Sequence, residues 1–284
     1  MNRTPNTYCQ ASSPFFLNLD MKASEEIKVS EVRNVSDIDF SSANGLSFFD
    51  PYLGYWEKET LEIAGEVHVS RTSAGDISGI FLYDGHERDG SIFTRSRDVF
   101  DYFYELRPFK SIYAELPTER PKETYDIYTI DLENNSLDHT FSHEVTIADK
   151  DEIDEIRQFM LSMDPRLNPK WVEVALNSKD KCVTVRLGYE IAGVGWLSLV
   201  NGVGRLHSLF VKPRFRKMGV GLDVLFARLL WLRSKHARTA FSEISVNNLQ
   251  STKTSMKGGM KVSGHVYQYF RTQPRNAPTT AAIP

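Results

Sequence analysis

The spacing of hydrophobic and polar residues is clearest in the second half of the chain, where it predicts strands and helices in alternation. Alternating residues predict a strand over 144–148, and apolar residues at helical spacing predict a helix over 149–163. A short helix over 170–177 follows. Three strand-like runs then cover 182–187, 191–200 and 204–211. The Asn201-Gly202 pair between the last two runs indicates a hairpin turn.

The pattern changes to a helical one after Pro213. The helix predicted there ends near His236, and its apolar stripe consists of Leu222, Leu225, Phe226, Leu229 and Leu230. A strand over 241–246, a short helix over 248–257 and a last strand over 263–271 complete the half. The resulting order, β-α-α-β-β-β-α-β-α-β, predicts an α/β fold with a mixed sheet and helices on both faces.

A weaker copy of this pattern occurs in the first half. It predicts a helix over 98–106 and strands over 66–71, 77–83, 91–94, 111–116 and 125–132. Ile77-Ser-Gly-Ile80 mirrors Ile191-Ala-Gly-Val194. The loop that precedes the long helix of the second half is missing here, where only Arg95-Ser-Arg97 remain. We interpret the chain as a duplicated unit whose first copy lost this loop; two unrelated α/β domains remain the alternative.

The predicted organisation is a disordered leader over 1–24, a first domain over 25–142, a second domain over 143–271 and a disordered tail over 272–284. Two domains are the usual expectation for 284 residues. A composition of 41% hydrophobic and 25% charged residues is typical of a soluble globular protein. The net charge of −3 argues against a nucleic-acid-binding protein, because such proteins carry basic surfaces.

The two cysteines, Cys9 and Cys182, are too few for a cysteine-based metal site and lie far apart, so we expect neither a metal nor a structural disulfide. No apolar run is long enough to span a membrane, and the first residues lack the apolar core of a signal peptide. We therefore expect a cytoplasmic protein without a membrane partner. The pattern specifies no oligomeric state.

The segment 211–221 carries the clearest chemical signal, because it places two glycines between a strand and an amphipathic helix. Gly219 and Gly221 permit tight backbone curvature and the close approach of a ligand. The amides at the start of the helix have no partner within it and carry the positive end of its dipole, which suits a pyrophosphate. The segment lacks the Gly-Lys-Ser/Thr ending of a nucleotide P-loop.

These residues carry a resemblance to a known family. Arg216-x-x-Gly219-x-Gly221, preceded by Val211-x-Pro213, resembles motif A of the GNAT family of N-acetyltransferases. The order of strands and helices over 144–270 resembles the fold of that family, and so do Asn248-x-x-Ser251 and Gly259-Met260. The resemblance implies a GNAT-like acyl-CoA N-acyltransferase fold, built as two tandem units of which the first is degenerate.

The resemblance implies that acetyl-CoA, or another acyl-CoA, is the donor. Its pyrophosphate would contact the loop residues Arg216, Lys217, Met218, Gly219, Val220 and Gly221. The pantetheine would lie along the strand edge Leu209, Phe210 and Val211, and the amide of Leu209 or Phe210 would stabilise the oxyanion. Asn248, Ser251 and Ser255 would complete the binding site. For Asn248 a helix N-cap is a second role, compatible with the first.

The amine acceptor must lose a proton, so a base is required. His207 is the first candidate, because Leu206-His-Ser-Leu-Phe-Val211 resembles the arylalkylamine branch of the family, in which a histidine here relays protons. Glu243 is the second candidate. Packing or solvent exposure without a catalytic role is the alternative for both. Ser255 stands where the family often has a tyrosine that protonates the thiolate, and Tyr267 is the candidate substitute.

The predicted function is transfer of an acetyl group from acetyl-CoA to a primary amine, on a small molecule or a protein, by direct attack on the thioester. Arg166 and Trp171 stand where the family covers its acceptor, and the first half would form a wall of the acceptor cleft. Two alternatives remain at this point. One is a non-catalytic acyl-CoA-binding regulatory module, and the other is an aminoacyl or peptidyl transferase of the tandem GNAT type.

Overall fold

The computed structural model describes residues 28–32, 38, 66–85, 88–117, 121–165, 167, 172–173, 175 and 180–270. The strands of the first half are β1 Lys28–Val32, β2 Glu66–Arg71, β3 Ile77–Asp84, β4 Asp89–Thr94, β5 Ser111–Ala114 and β6 Glu123–Asp131. Those of the second half are β7 Glu144–Ile147, β8 Lys181–Leu187, β9 Glu190–Val200, β10 Val203–Val211, β11 Thr239–Ser245 and β12 Lys261–Phe270. The helices are α1 Arg97–Leu106, α2 Ile153–Met163, α3 Val220–Ser234 and α4 Leu249–Lys257, with short 3₁₀ turns at Lys150–Glu152 and Pro213–Phe215.

The predicted strands and helices that fall on described residues are present, with ends that differ by a few residues. The predicted leader, the predicted tail, Arg166 and Trp171 lie outside the described residues, and so does most of the predicted helix over 170–177. Among the helices that the structure describes, none is long and apolar enough to cross a membrane. The same residues contain no cluster of histidine, cysteine and carboxylate side chains suited to a metal ion.

The described strands form one continuous sheet of 12 strands, in the order β1-β2-β3-β4-β5-β12-β6-β11-β10-β9-β8-β7. Each half contains four antiparallel strands, β1–β4 and β7–β10. A helix and a parallel strand follow in each half, since β4 pairs with β5 and β10 pairs with β11 in parallel. This repetition supports the duplication inferred from the sequence. The sheet is the mixed sheet expected, with α2 and α3 on its two faces.

The last strands of the two halves have exchanged places. Strand β6 from the first half pairs with β11 of the second, and β12 from the second half pairs with β5 of the first. The two exchanged strands also pair with each other at the centre of the sheet. The sheet therefore crosses the predicted domain boundary at 142/143 without a break, and that boundary stays a prediction.

The concave face of the sheet is the face opposite α3. One buried cluster on this face runs from Val69 and Ile80 of the first half, through Ile127 and Val266 of the central strands, to Val203 and Phe241 of the second half. Both halves therefore contribute to the concave face.

The segment between the two halves is fastened to the first turn of α3. The Asp223 carboxylate is buried and lies 2.6 Å from His139 Nε2 and 2.6 Å from His143 Nδ1. The Ser142 amide donates to the same carboxylate at 3.3 Å, and the His139 ring stacks on Phe226 at 4.3 Å between centroids. These contacts hold residues 139–143, at the start of the second half, against the helix that follows the glycine-containing loop.

One carboxyl of the first half makes the stability of the protein depend on pH. Burial raises the pKa of Glu115 to about 7, and the nearby Arg95 only partly opposes this rise. The folded state therefore keeps a proton that the unfolded state releases, so stability falls as pH rises from the usual glutamate value of 4.5 towards 7. Replacing Glu115 with glutamine removes that loss.

We expect Glu115→Gln to be more stable than the natural protein by about 1–2 kcal/mol at pH 8, after allowance for solvent screening of a half-buried group. At pH 4.5 the two proteins should unfold alike. Urea unfolding at both pH values measures this, with the exposed Glu133→Gln as the control. Equal differences at the two pH values would show that Glu115 is not held protonated by burial.

Candidate active site

The structure opens between β10 and β11. Parallel pairing of these strands covers only Val203–Arg205 with Thr239–Phe241. Beyond Arg205, β10 contains an irregularity between His207 and Phe210, and Ser208 takes a positive φ of 50°. A bulge of this kind bends a strand and breaks its regular pairing. Among the described strands, none therefore pairs with the edge of β10 that faces β11 after Arg205.

A cavity of about 550 Å³ occupies this opening and reaches both faces of the sheet. On one face it is lined by Leu225 and Arg228 of α3 and by Ser255 of α4. On β11, Ala240 and Ile244 pack with the α3 cluster. Since side chains alternate along a strand, Glu243 faces the opposite, concave side. The cavity therefore gives two ligands access to the same strand opening from opposite faces.

His207 lies at the cavity in a largely buried position. Its Nδ1 is 3.3 Å from the Ser208 hydroxyl and its Nε2 is 3.8 Å from an Asp180 carboxylate oxygen. Burial lowers the pKa of His207 well below its usual value, and the charges of Arg205 and Arg228 lower it further. The imidazole is therefore neutral at pH 7, and it can accept a proton only weakly.

Glu243, the second predicted base, also lines the cavity. Arg205 donates from Nε to the Glu243 carboxylate at 3.2 Å, and Arg205 is itself a lining residue. The structure thus brings both predicted bases to the same opening, and it adds a guanidinium that the sequence analysis did not consider.

The glycine-containing loop leads directly into the first turn of α3. Gly219 is the N-cap of α3, with φ 92°, a value that favours glycine. The first bonds inside α3 run from the Leu222 and Asp223 amides to the Gly219 carbonyl, so the amides before them point out of the helix. Met218 is 49% exposed, so solvent and ligands can reach the loop. These features fit a bound diphosphate.

The basic residues of the loop differ in whether they already form an ion pair within the protein. Lys212 and Arg214 both pair with Glu190, the first at 2.5 Å. Arg216 and Lys217 are exposed, and Arg216 donates to the Val211 carbonyl at 3.2 Å. Among the described residues, the latter two are therefore the better placed to meet a ligand phosphate.

The loop and the cavity meet along α4. A side chain at Gly221 would come within 3.7 Å of Thr254, and Ser251 and Ser255 of the same helix line the cavity. The predicted cofactor residues Leu209, Phe210 and Asn248 also line it, whereas Val211 and the loop residues 216–221 lie outside its lining. A molecule held by the loop can thus extend past α4 into the strand opening.

Two predicted residues have specific surroundings. Asn248 is the N-cap of α4, since its side chain accepts a bond from the Ser251 amide at 3.2 Å, and it lines the cavity as well. Tyr267 alternates with Val266, a lining residue, and packs with the first-half cluster on the other face. The structure therefore does not bring Tyr267 together with His207 and Glu243.

The structure adds Arg228, which sequence reasoning missed. Its side chain is buried within α3, and burial lowers its pKa to about 10. Its Nη1 donates to the Trp196 carbonyl at 3.0 Å and to the His207 carbonyl at 3.3 Å. The guanidinium thus joins β9 to β10 at the bulge. The signal was present in the sequence as a single charged residue within an apolar stripe.

The fold has a continuous sheet in which β10 and β11 separate. Solved structures of GNAT acyltransferases share this fold. An acetyltransferase from the GNAT family of Colwellia psychrerythraea superposes with a TM-score of 0.56 at 12% identity, over 86% of this chain and 100% of that one. A GCN5-related N-acetyltransferase from Sphaerobacter thermophilus gives 0.55 at 12% identity, over 76% and 83%. A tandem GNAT protein from the clavulanic acid biosynthesis pathway gives 0.54 at 10% identity, over 86% and 98%.

One segment of the chain matches a family model. Residues 122–255 match the model described as the acetyltransferase (GNAT) family. No curated protein sequence matches the chain. The resemblance found in the sequence is confirmed, and family and fold together support acyl transfer as the general activity, with an acyl-CoA as the typical donor.

Proposed function

We propose that the protein is an N-acetyltransferase that moves an acetyl group from acetyl-CoA to a primary amine. The observation that carries the proposal is the opening between β10 and β11, which has the glycine-containing loop on one side and the two candidate bases on the other. The family match of residues 122–255 supports acyl transfer at this opening. The predicted cytoplasmic location stays part of the proposal.

The α3 side of the opening would hold the donor. The outward amides at Gly219 and Val220 would bind the diphosphate, and Arg216 and Lys217 would add charge to it. The free edge of β10 from Leu209 would bond the pantetheine amides as a neighbouring strand does. The amide of Leu209 or Phe210 would then stabilise the negative charge that develops on the thioester oxygen.

The concave side would hold the acceptor. A bond forms between the amine nitrogen and the acetyl carbon, the bond from that carbon to sulfur breaks, and the ammonium proton passes to the enzyme. His207, neutral at pH 7, and Glu243 are the proton acceptors at this side. The thiolate leaves without an acid donor, since a thiol has a pKa of about 8.5.

The test begins with binding. Acetyl-CoA at about 100 times its Kd should stabilise the protein by about 2.7 kcal/mol, which raises the melting temperature by about 5–10 °C. Thiol release should then depend on an added amine from a panel of small amines, lysine peptides and aminoacyl acceptors. We expect His207→Ala or Glu243→Gln to lower kcat by about 10²–10⁴-fold with acetyl-CoA binding intact.

The other outcomes of this screen are equally decisive. Binding without thiol release for any acceptor would establish the non-catalytic acyl-CoA-binding module in place of the transferase. Release only with aminoacyl or peptidyl substrates would establish the third alternative. The absence of any stabilisation by acetyl-CoA at millimolar concentration would remove the proposal altogether.

A further inference from the structure

A groove of about 470 Å³ lies between β7 and α3. Ala227, Leu230 and Trp231 of α3 line it. Since an α-helix has about 3.6 residues per turn, these three lie on the opposite side of α3 from Gly221, which faces Thr254 of α4. The groove and the cavity at β10 therefore lie on different sides of the same helix.

His143 connects this groove to the glycine-containing loop. It lines the groove, and a Cβ placed at Gly219 would lie 3.8 Å from its Cε1. Its Nδ1 is held 2.6 Å from Asp223 Oδ2. A protonated imidazole donates from both ring nitrogens, so His143 can bond Asp223 through Nδ1 and a ligand phosphate through Nε2. The groove therefore begins beside the N-cap of α3, where the diphosphate site is proposed.

The Asp223 carboxylate is satisfied within the protein. Its Oδ1 lies against His139 Nε2, and its Oδ2 meets both His143 and the Ser142 amide. The residue is 1% exposed. Glu144 alternates with Val145, which packs with the α3 cluster, so the Glu144 side chain faces away from α3. A phosphate beside His143 is therefore not opposed by an exposed carboxylate from either of these residues.

The groove itself suits an uncharged aromatic group. Among the described residues that line it, His143 is the one titratable side chain, and all the others except Thr146 are apolar. Two of the lining residues, Phe141 and Ile147, are exposed although they are large and apolar. Exposed apolar surface of this kind marks a binding site, and aromatic side chains stack on the flat face of a nucleotide base.

From this continuity, and resting on the proposed transferase function, we propose that the nucleotide end of acetyl-CoA turns to the β7 side of α3. His143 contacts its phosphates, and the groove receives its adenosine. The acetylated pantetheine leaves the loop on the other side of the helix, past α4. The donor thus crosses the N-terminus of α3, and His143 is a ligand-contacting residue outside the glycine-containing loop.

Two fragments of the donor test this division. Adenosine 3′,5′-bisphosphate carries the nucleotide end alone, and S-acetylpantetheine carries the acyl end alone. We expect His143→Gln to raise the calorimetric Kd of adenosine 3′,5′-bisphosphate and of acetyl-CoA by about 10–100-fold, through loss of a bond to a charged group. The KM for S-acetylpantetheine should change less than about twofold, because this donor does not reach the groove.

His139→Gln is the matched control for this variant. His139 bonds the same carboxylate at the same 2.6 Å, but its ring stacks on Phe226 and does not line the groove. Both variants should therefore lower the melting temperature alike, and His139→Gln should leave the Kd of adenosine 3′,5′-bisphosphate unchanged. An equal loss of affinity in the two variants would show that His143 acts only through the fold, and this would overturn the contact.

A second variant fills the groove. Ala227→Phe places a ring in the space that the adenosine would occupy and should raise the Kd of adenosine 3′,5′-bisphosphate by at least about 10-fold. Ser234→Phe, at an exposed position of α3 outside the groove, is its control. If the natural protein, His143→Gln and Ala227→Phe bind the nucleotide equally, the inference is overturned, and turnover of S-acetylpantetheine leaves the transferase intact. If no amine is acetylated, the transferase is overturned, and nucleotide binding still decides the groove.

Discussion

Replacing Gly219 with glutamate is expected to raise the Kd for acetyl-CoA by at least about 100-fold. The amides around this N-cap point out of α3, and each hydrogen bond to a charged group contributes about 1.5–3 kcal/mol. A glutamate at this position would bring a carboxylate to the site of the diphosphate. It would also distort the turn, because Gly219 has φ 92° and a residue with a side chain is strained there by about 1–2 kcal/mol.

Gly75 provides a matched control for this strain. It has φ 94°, lies in the turn between β2 and β3, and a side chain there would meet nothing within 4 Å. Gly75→Glu should therefore lower stability by the same amount and leave acetyl-CoA binding unchanged. Calorimetric titration measures the Kd of acetyl-CoA for both variants, and thermal melting measures their stability. Equal affinities in the two variants would show that the loop does not bind the diphosphate.

Replacing Arg228 with methionine is expected to lower kcat by about 100-fold with little change in the Kd of acetyl-CoA. Without the guanidinium, the carbonyls of Trp196 and His207 lose their common donor, and the bulge in β10 is free to shift. Leu209 lies within this bulge and Phe210 directly follows it, so the amides of both depend on its position. A displacement of about 1 Å in the groups that stabilise a transition state is enough for such a loss.

The stability of Arg228→Met should change much less than its activity. Each hydrogen bond that the guanidinium donates contributes about 1.5–3 kcal/mol, but removal of a buried cation relieves its desolvation. We therefore expect a net loss of about 1–3 kcal/mol. Arg228→Lys keeps the charge without the guanidinium geometry and should also lose kcat. Arg186→Met, which removes a guanidinium bonded to Glu152 and Glu155, is the control. Wild-type kcat in Arg228→Met would rule out a positioning role.

The sequence located the glycine-containing loop and the two candidate bases of the second half, because the signals for them are local, and their roles stay predictions. The strand, the turn at Gly219 and the apolar stripe of the following helix lie within a short stretch, so spacing alone defines the loop and its outward amides. The same holds for His207 and Glu243, whose positions on neighbouring strands bring them to one opening. Tyr267 is different, because the phase of alternation along β12 was not known from the sequence, and the structure turns its side chain to the other face.

Arg228 and the first-half wall of the cavity were missed for another reason. The partners of a charged residue in an apolar helix face cannot be predicted until the strands packed against the helix are known. For Arg228 these partners are the carbonyls of Trp196 and His207. Likewise, Asp89 and Tyr113 belong to strands that lie remote from β10 in the order of the sheet. They belong to the site only because the cavity extends along the concave face from β10 to β4.

The amino-acid sequence by itself determined the strands and helices, the repeated pattern of the two halves and the position of the glycine-containing loop before α3, whose phosphate binding stays a prediction. Each depends on residues close together in the chain, where periodicity and backbone preference act directly. Only the tertiary structure decided that β6 and β12 exchange places and that both halves enclose one cavity. Either arrangement of those two strands satisfies the same local pattern, and the choice depends on packing between residues that are far apart in sequence.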